Sequence, residues 1–317
     1  MDTKTLWRFL LLQMVSFVIL VGLALPSNST QNPVPTQPLP PSPRSAGKKL
    51  VRLGKDDPAL RWPPPDVDAA TPAVAPGVPC PLDEVLKAAG QHVKELTTNL
   101  ERFSAIERVE DVMFSKSGKA GLPSGRSFNY LVLISEPPRG GVGVEERRDG
   151  SKESSPYNVA ETGLVTSALI FHPKIVNDFH MVCEGLGEWG GQPAWQVHFA
   201  QRSDLPPRFS AFREGSVAFN VKLKGRAWIA RDTYQVKHLD QDLLEPIPQA
   251  HLLTEHVATE YRPVEFASRK MQLWLPERVD LYLDFHGHHY YQRHQLSNFI
   301  LFSVDTGQQI EAPRQRE

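Results

Sequence analysis

The sequence predicts an α+β fold: a strongly curved antiparallel sheet forming an incomplete β-barrel, with an amphipathic helix before it and a central helical insertion as lid. Three observations carry this. Residues 217 to 302 read as strand after strand joined by short turns. Val217, Phe219, Val221 and Leu223 alternate with polar residues, as do Val279, Leu281, Leu283 and Phe285. No alternation of strands with long helices occurs, which excludes a parallel α/β fold. Such strands have one apolar face, and something must cover it.

The elements follow in chain order. Lys4 and Arg8 precede an apolar run to Leu25, the pattern of an export signal. Ser27 and Ser29 suit a cleavage site, while the run is also long enough for a signal anchor. Cleavage and membrane anchoring through this helix both stay open. Fifteen of the 28 prolines fall between Pro26 and Pro81. Residues 26–79 therefore read as a disordered Pro-rich spacer, and residues 80–311 as the folded domain, followed by a tail at 312–317. Cys80 and Cys183 are the only cysteines. Behind an export signal, two cysteines suit a disulfide or two separate buried thiols.

Pro81, Asp83 and Glu84 suit a helix start. Leu82, Leu86, Ala89, Val93, Leu96, Leu100 and Phe103 then recur at helical spacing. Strands are expected at 105–114, 128–135 and 142–148, the second buried on both faces through Leu131 and Leu133. Residues 158–171 lack alternation and predict a short helix or helix pair ending near His172-Pro173. Strands resume at 180–186 and 194–201, and the meander from Val217 completes about ten.

Composition bounds function. Lys and Arg total 35 against 36 Asp and Glu, a net charge of −1, with no basic stripe, so no nucleic-acid partner is expected. Gly-x-Ser-x-Gly and the P-loop pattern are absent. His286, His288, His289 and His294 crowd near Asp284, but Gly287 reads as a hairpin turn that would splay them. His251 to His256 is one residue too long for an inverted zincin motif. Glu255, Glu260 and Glu265 read as solvated, and Trp189, Trp195, Trp228 and Trp274 as packing. No catalytic residue, metal or cofactor is expected. The apolar faces of Val217–Leu223 and Val279–Phe285, closed by Leu164, Leu169 and Phe171 of the insertion, are expected to line a cavity for a lipid or other hydrophobic ligand. The alternatives are a scaffold whose sheet is filled by its own side chains, and an exported hydrolase or metal-binding protein.

One resemblance bears on this reading. The helix ending in Leu100-Glu101-Arg102-Phe103-Ser104-Ala105, the hairpins, the central insertion and the long meander together resemble the LolA/LolB-like lipoprotein-carrier superfamily. The most specific piece runs from Gly225 through Trp228-Ile229 and the Asp232 turn to Leu239. The chain also resembles uncharacterised exported bacterial proteins with Cys80-Pro81-Leu82-Asp83-Glu84-Val85 and Leu301-Phe302-Ser303-Val304-Asp305-Thr306. The resemblance covers roughly residues 80–310. It implies a non-catalytic periplasmic protein, soluble or tethered, whose half-barrel encloses an acyl-binding cavity beneath a helical lid. The carriers lack the long Pro-rich spacer, and the polar residue inside their cavity aligns with no position here.

Overall fold

The computed structural model describes residues 52–54, 56–99, 102–136, 141–150, 159–206, 210–214, 217–302 and 309–310. The export signal or anchor expected at 1–25 lies outside them. Among the described residues no helix is long and apolar enough to cross a membrane.

Helix α1 (Leu82–Asn99) opens with Asp83 and Glu84 in its first turn, where the helix dipole favours negative charge. Its buried stripe is Val85, Ala89, Gly90, Val93 and Thr97, turned slightly from the one the spacing suggested. Phe103 belongs to the following strand. An antiparallel meander then builds the sheet: β1 (Arg102–Phe114), β2 (Ser124–Ser135), β3 (Gly143–Asp149), β5 (Phe179–Trp189), β6 (Gln192–Gln201), β9 (Leu223–Ala230), β10 (Val236–Leu243), β11 (Leu252–Phe266), β12 (Met271–Phe285) and β13 (His288–Phe302). Their order is β3-β2-β1-β13-β12-β11-β10-β9-β6-β5, with β14 (Gln309–Ile310) paired to β13. The sheet is curved and not closed.

Several boundaries differ from expectation for physical reasons. Residues 271–285 form one strand despite Pro276, because the register shifts between Glu260 and Tyr261 of β11 and Glu277 pairs with nothing. A bulge of this kind admits a proline inside a sheet. Strand β2 is buried on one side only: Tyr130, Val132 and Ile134 are buried, while Leu131 and Leu133 are half-buried. The expected helix at 158–171 is instead strand β4 (Val159–Thr162) and a 3-10 helix (Leu164–Phe171), with a second 3-10 turn at Val176–Asp178. Strand β4 joins β7 (Ser210–Glu214) and β8 (Val217–Val221) in a separate three-stranded sheet.

The spacer reading is corrected for residues 56–79. This stretch packs along the sheet. The backbone N–H of Ala75 donates to the Leu186 carbonyl at 2.7 Å on edge strand β5, and Val67 is buried. Gly185 (φ 141°) makes the approach feasible, since a Cβ there would lie 2.9 Å from Val74. Proline density forecast an absence of periodic structure correctly, but an extended segment can still dock when a sheet offers it partners. Cys80, at the end of this strap, is disulfide-bonded to Cys183 of β5, with Cα atoms 6.2 Å apart.

Candidate functional site

The inner face of the sheet is the surface that α1 and the insertion cover. Directly opposed residues of an antiparallel pair share a face. The register therefore places Leu223 with Leu243, Leu239 with Thr259, Val257 with Leu281 and Thr259 with Val279. Val221, Leu223, Val279, Leu281, Leu283 and Phe285 are all buried and belong to one apolar cluster. Val85, Ala89 and Val93 of α1 join that cluster, as do Leu169, Ile170 and Phe171 of the 3-10 helix. Gly225 allows this packing, because a Cβ would meet the Phe199 ring at 2.3 Å.

Most of the residues expected to line a cavity are thus brought together, wall against lid. Val217 is not. It is 52% exposed, because residues 217–223 are not one strand: β8 belongs to the small sheet and β9 to the large one. Phe219, on β8, is half-buried and packs against the cluster. The backbone of Leu164 opens the 3-10 helix, but its side chain lies outside the described residues.

Polar contacts hold the insertion down at three places, the first being the Gly163 N–H, which donates to Glu146 of β3 at 3.0 Å. The backbone N–H of Ala168 donates to the Tyr261 hydroxyl at 3.0 Å. Burial raises the Tyr261 pKa, so this oxygen stays a neutral phenol. At the other end, Glu136 accepts from Thr97 of α1 at 2.7 Å, from His172 at 3.0 Å and from Lys174 at 2.9 Å. The N–H of Lys174 donates to His172 Nδ1, so Nε2 carries the proton that reaches Glu136. Burial opposes the ionisation of Glu136, yet these three donors hold its pKa down to about 2.

A slot opens between α1 and the β11–β12 strands. Its cavity of about 40 Å³ is lined by Val93, Leu96, Ala168, Val236, Tyr261 and Trp274, with His92, Glu95 and Gln272 among the polar members. It has room for a few waters and for no acyl chain. Below it lie members of the central cluster. A more open cleft of about 490 Å³ lies past the end of α1, between Thr97, Arg102, Ile134 and Glu136.

The inner face is not uniformly apolar. On β1–β3 and β13 it carries Glu107, which accepts two bonds from Arg148 at 2.6 and 3.0 Å and one contact from His294 Nδ1 at 2.8 Å. Burial would raise the Glu107 pKa, but His294 and Arg148 hold it at about 2. Asp111 takes a two-pronged contact from Arg126 and a bond from Gln292. These charges are internally paired. On β10 and β11, by contrast, Gln241, Glu255 and Thr259 are buried among apolar neighbours. Reading Glu255 as solvated is therefore corrected. Strand parity held the signal: Glu255 and Thr259 share a face with Val257 and Tyr261, both of the core.

The histidines of the β12–β13 turn do not converge. His286 (φ 52°) and Gly287 (φ 72°) form the turn. His286 meets Glu214 at 2.8 Å, while His289 stacks on Trp62 with ring centroids 4.1 Å apart. Among the described residues no group of three or more His, Cys, Asp or Glu is arranged to hold a metal.

No protein-family model and no curated protein matches this chain. The solved structures to which the chain is similar include the following three. A DUF1329 family protein from Desulfovibrio piger shares 11% identity at a TM-score of 0.38, covering 72% of this chain and 95% of that one. A putative outer membrane lipoprotein-sorting protein domain from Vibrio parahaemolyticus shares 10% at 0.41, covering 71% and 94%. A LolA superfamily protein from Nitrosomonas europaea shares 12% at 0.35, covering 70% and 94%. The last two names coincide with the resemblance read from the residues. At this looseness of superposition the likeness carries no argument about what this chain binds.

Proposed function

We propose that this chain is a non-catalytic exported protein that binds a lipid or other hydrophobic ligand between the sheet and its insertion. One observation carries the reading: an apolar wall and an apolar lid meet in one cluster, and the lid is fastened to its frame by a few hydrogen bonds. Apolar ligand sites are concave, mostly hydrophobic and capped. The slot of about 40 Å³ between α1, the sheet and the insertion is too small for a chain, so uptake there requires the Ala168–Tyr261, Gly163–Glu146 and Glu136 contacts to release. The basic and apolar N-terminal run supports export, and the Cys80–Cys183 disulfide suits an oxidising compartment.

The alternative is an envelope scaffold with a filled core. It is favoured by the wall itself, whose residues Val279, Leu281 and Leu283 are 0–1% exposed. The test is lipid extraction of the purified full chain, followed by titration with a fluorescent fatty-acid probe. Co-purified lipid or saturable probe uptake supports the carrier reading. Leu283→Asp should abolish uptake with the circular dichroism spectrum kept. Wild-type protein that carries no lipid and takes up no hydrophobic probe leaves the scaffold reading in its place.

A further inference from the structure

Three polar side chains are buried on the apolar wall. Gln241 is 5% exposed, Glu255 6% and Thr259 0%. Gln241 Oε1 and Thr259 Oγ1 are buried without a hydrogen-bond partner. Their direction follows from register. Gln241 stands opposite Gly225 and Val257, Thr259 opposite Leu239 and Val279, and Glu255 opposite Leu283. Those neighbours, Gly225 aside, belong to the cluster that the lid covers. Gln241 is diagonal to both Glu255 and Thr259, so it stands about 7–8 Å from each, and the outer two are about 13 Å apart. Unpartnered buried polar atoms are costly, and apolar substitutes would fill these positions without that cost. On the polar half of the same face the Glu107 and Asp111 carboxylates are paired with arginines, while Tyr130 Oη, Glu146 Oε2 and His294 Nε2 are, like the Gln241 and Thr259 oxygens, buried without a hydrogen-bond partner.

We propose that Gln241, Thr259 and Glu255 form the polar subsite of the ligand cavity, and that it receives an amphiphile whose polar end donates hydrogen bonds rather than a free carboxylate. This rests on the hydrophobic-ligand reading above. The chemistry follows from the atoms. The unpartnered Gln241 oxygen accepts only, so it requires an N–H or O–H. Thr259 accepts or donates. Glu255 accepts, and its charge, when present, repels an anion. A hydroxyl, amide or ammonium head satisfies all three, and the aliphatic chain lies on Leu281, Leu283 and Phe285.

The experiment uses the full chain and the neutral apolar reporter N-phenylnaphthylamine at one pH near neutrality. The bound reporter is displaced by monolauroylglycerol, dodecylamine or laurate, each below its micellar concentration. Monolauroylglycerol, dodecylamine or both are expected to displace it at concentrations about tenfold or more below laurate. The pair separates a hydroxyl head from an ammonium head. In the near-isosteric Gln241→Leu/Thr259→Val double variant, reporter uptake should persist while the preference falls to about threefold or less. Glu255→Gln, which keeps the volume, should improve laurate by about threefold or more and provides a second route if the double variant misfolds. Reporter uptake with no preference among competitors, or a preference that survives all three substitutions, overturns the subsite and leaves the hydrophobic-ligand reading standing. Failure of the wild-type chain to take up reporter overturns both.

Discussion

The two faces of this sheet are covered differently. The inner face meets apolar side chains of α1 and the insertion. The outer face meets the strap, residues 52–54 and 56–79, through an apolar patch of Leu53, Ala59, Leu60 and Trp62 on Val112, Phe114, Tyr282 and Tyr291, and elsewhere through charge and hydrogen bonding. Asp57 accepts from Arg293 at 2.7 and 3.2 Å, and Arg293 also donates to Asp280 at 2.8 Å. Arg226 donates to the Val67 carbonyl and to Glu184, while Asp242 accepts the Val67 N–H at 2.6 Å. Lys224 bridges Asp66 and Asp68 at 2.9 and 2.7 Å. Hydrophobic cover is non-directional and tolerates sliding. Ionic and hydrogen-bonded cover fixes one register. The face that admits movement is therefore the inner one, and the outer one is the frame.

The sharpest way to break this comparison is to remove the frame. A chain beginning at Cys80 takes from Arg226, Arg293 and Asp242 their strap partners and uncovers Val112, Phe114, Tyr282 and Tyr291, at a cost of about 3–5 kcal/mol. Its melting temperature should fall by about 10 °C or more. An unchanged melt would make the strap a passive spacer after all. Next comes the disulfide. Replacing Cys80 and Cys183 by Ser releases a loop spanning 103 residues of sequence separation, worth about 4–5 kcal/mol in the chain-entropy model. Denaturant titration should show the midpoint fall and the slope rise, because the denatured chain without its cross-link exposes more surface.

Leu281→Ala probes the inner face, with an expected loss of about 2–5 kcal/mol. Saturating hydrophobic ligand should recover part of that loss, whereas it should recover none of the loss in the strap deletion. The smallest effect is a pH dependence on the outer face. His238 lies between Asp240 at 2.8 Å and Glu260 at 3.4 Å, and stacks on Trp189. Burial alone would depress its pKa, but the two carboxylates hold it at about 9. A pKa raised above the unfolded value of 6.5 contributes stability fully below about pH 6.5, lost as pH rises through about 9. Melts from pH 6 to 10 should therefore slope downward in wild type and less so in His238→Asn.

How much of this was legible in the residues varies with what fixes each element. Period-two alternation exposed β12, and the His286-Gly287 turn was marked by its glycine. Both are local signals. Val217 was misplaced because a strand break at Lys222 sends its neighbours to different sheets, and nothing local marks that change. The strap was hidden because its partners, such as Asp242 and Arg293, are about 175 and 236 positions away. The polar trio was half legible. Strand parity gave Glu255 and Thr259 their face, but only the tertiary structure shows their neighbours to belong to the cluster shared with α1 and the 3-10 helix.

The path of the chain around edge strand β5 has a mechanical consequence. The strap runs along edge strand β5 at Leu186, and five residues after its Ala75 contact the chain is pinned at Cys80 to Cys183 of that same strand before it enters α1. Tension applied from the N-terminal side would load the strap in shear, across the Asp57–Arg293 and Val67–Arg226 hooks one after another. What force remained would end at the covalent pin. Helix α1 and the lid beyond it would feel none of it, so this molecule can be pulled on without being opened.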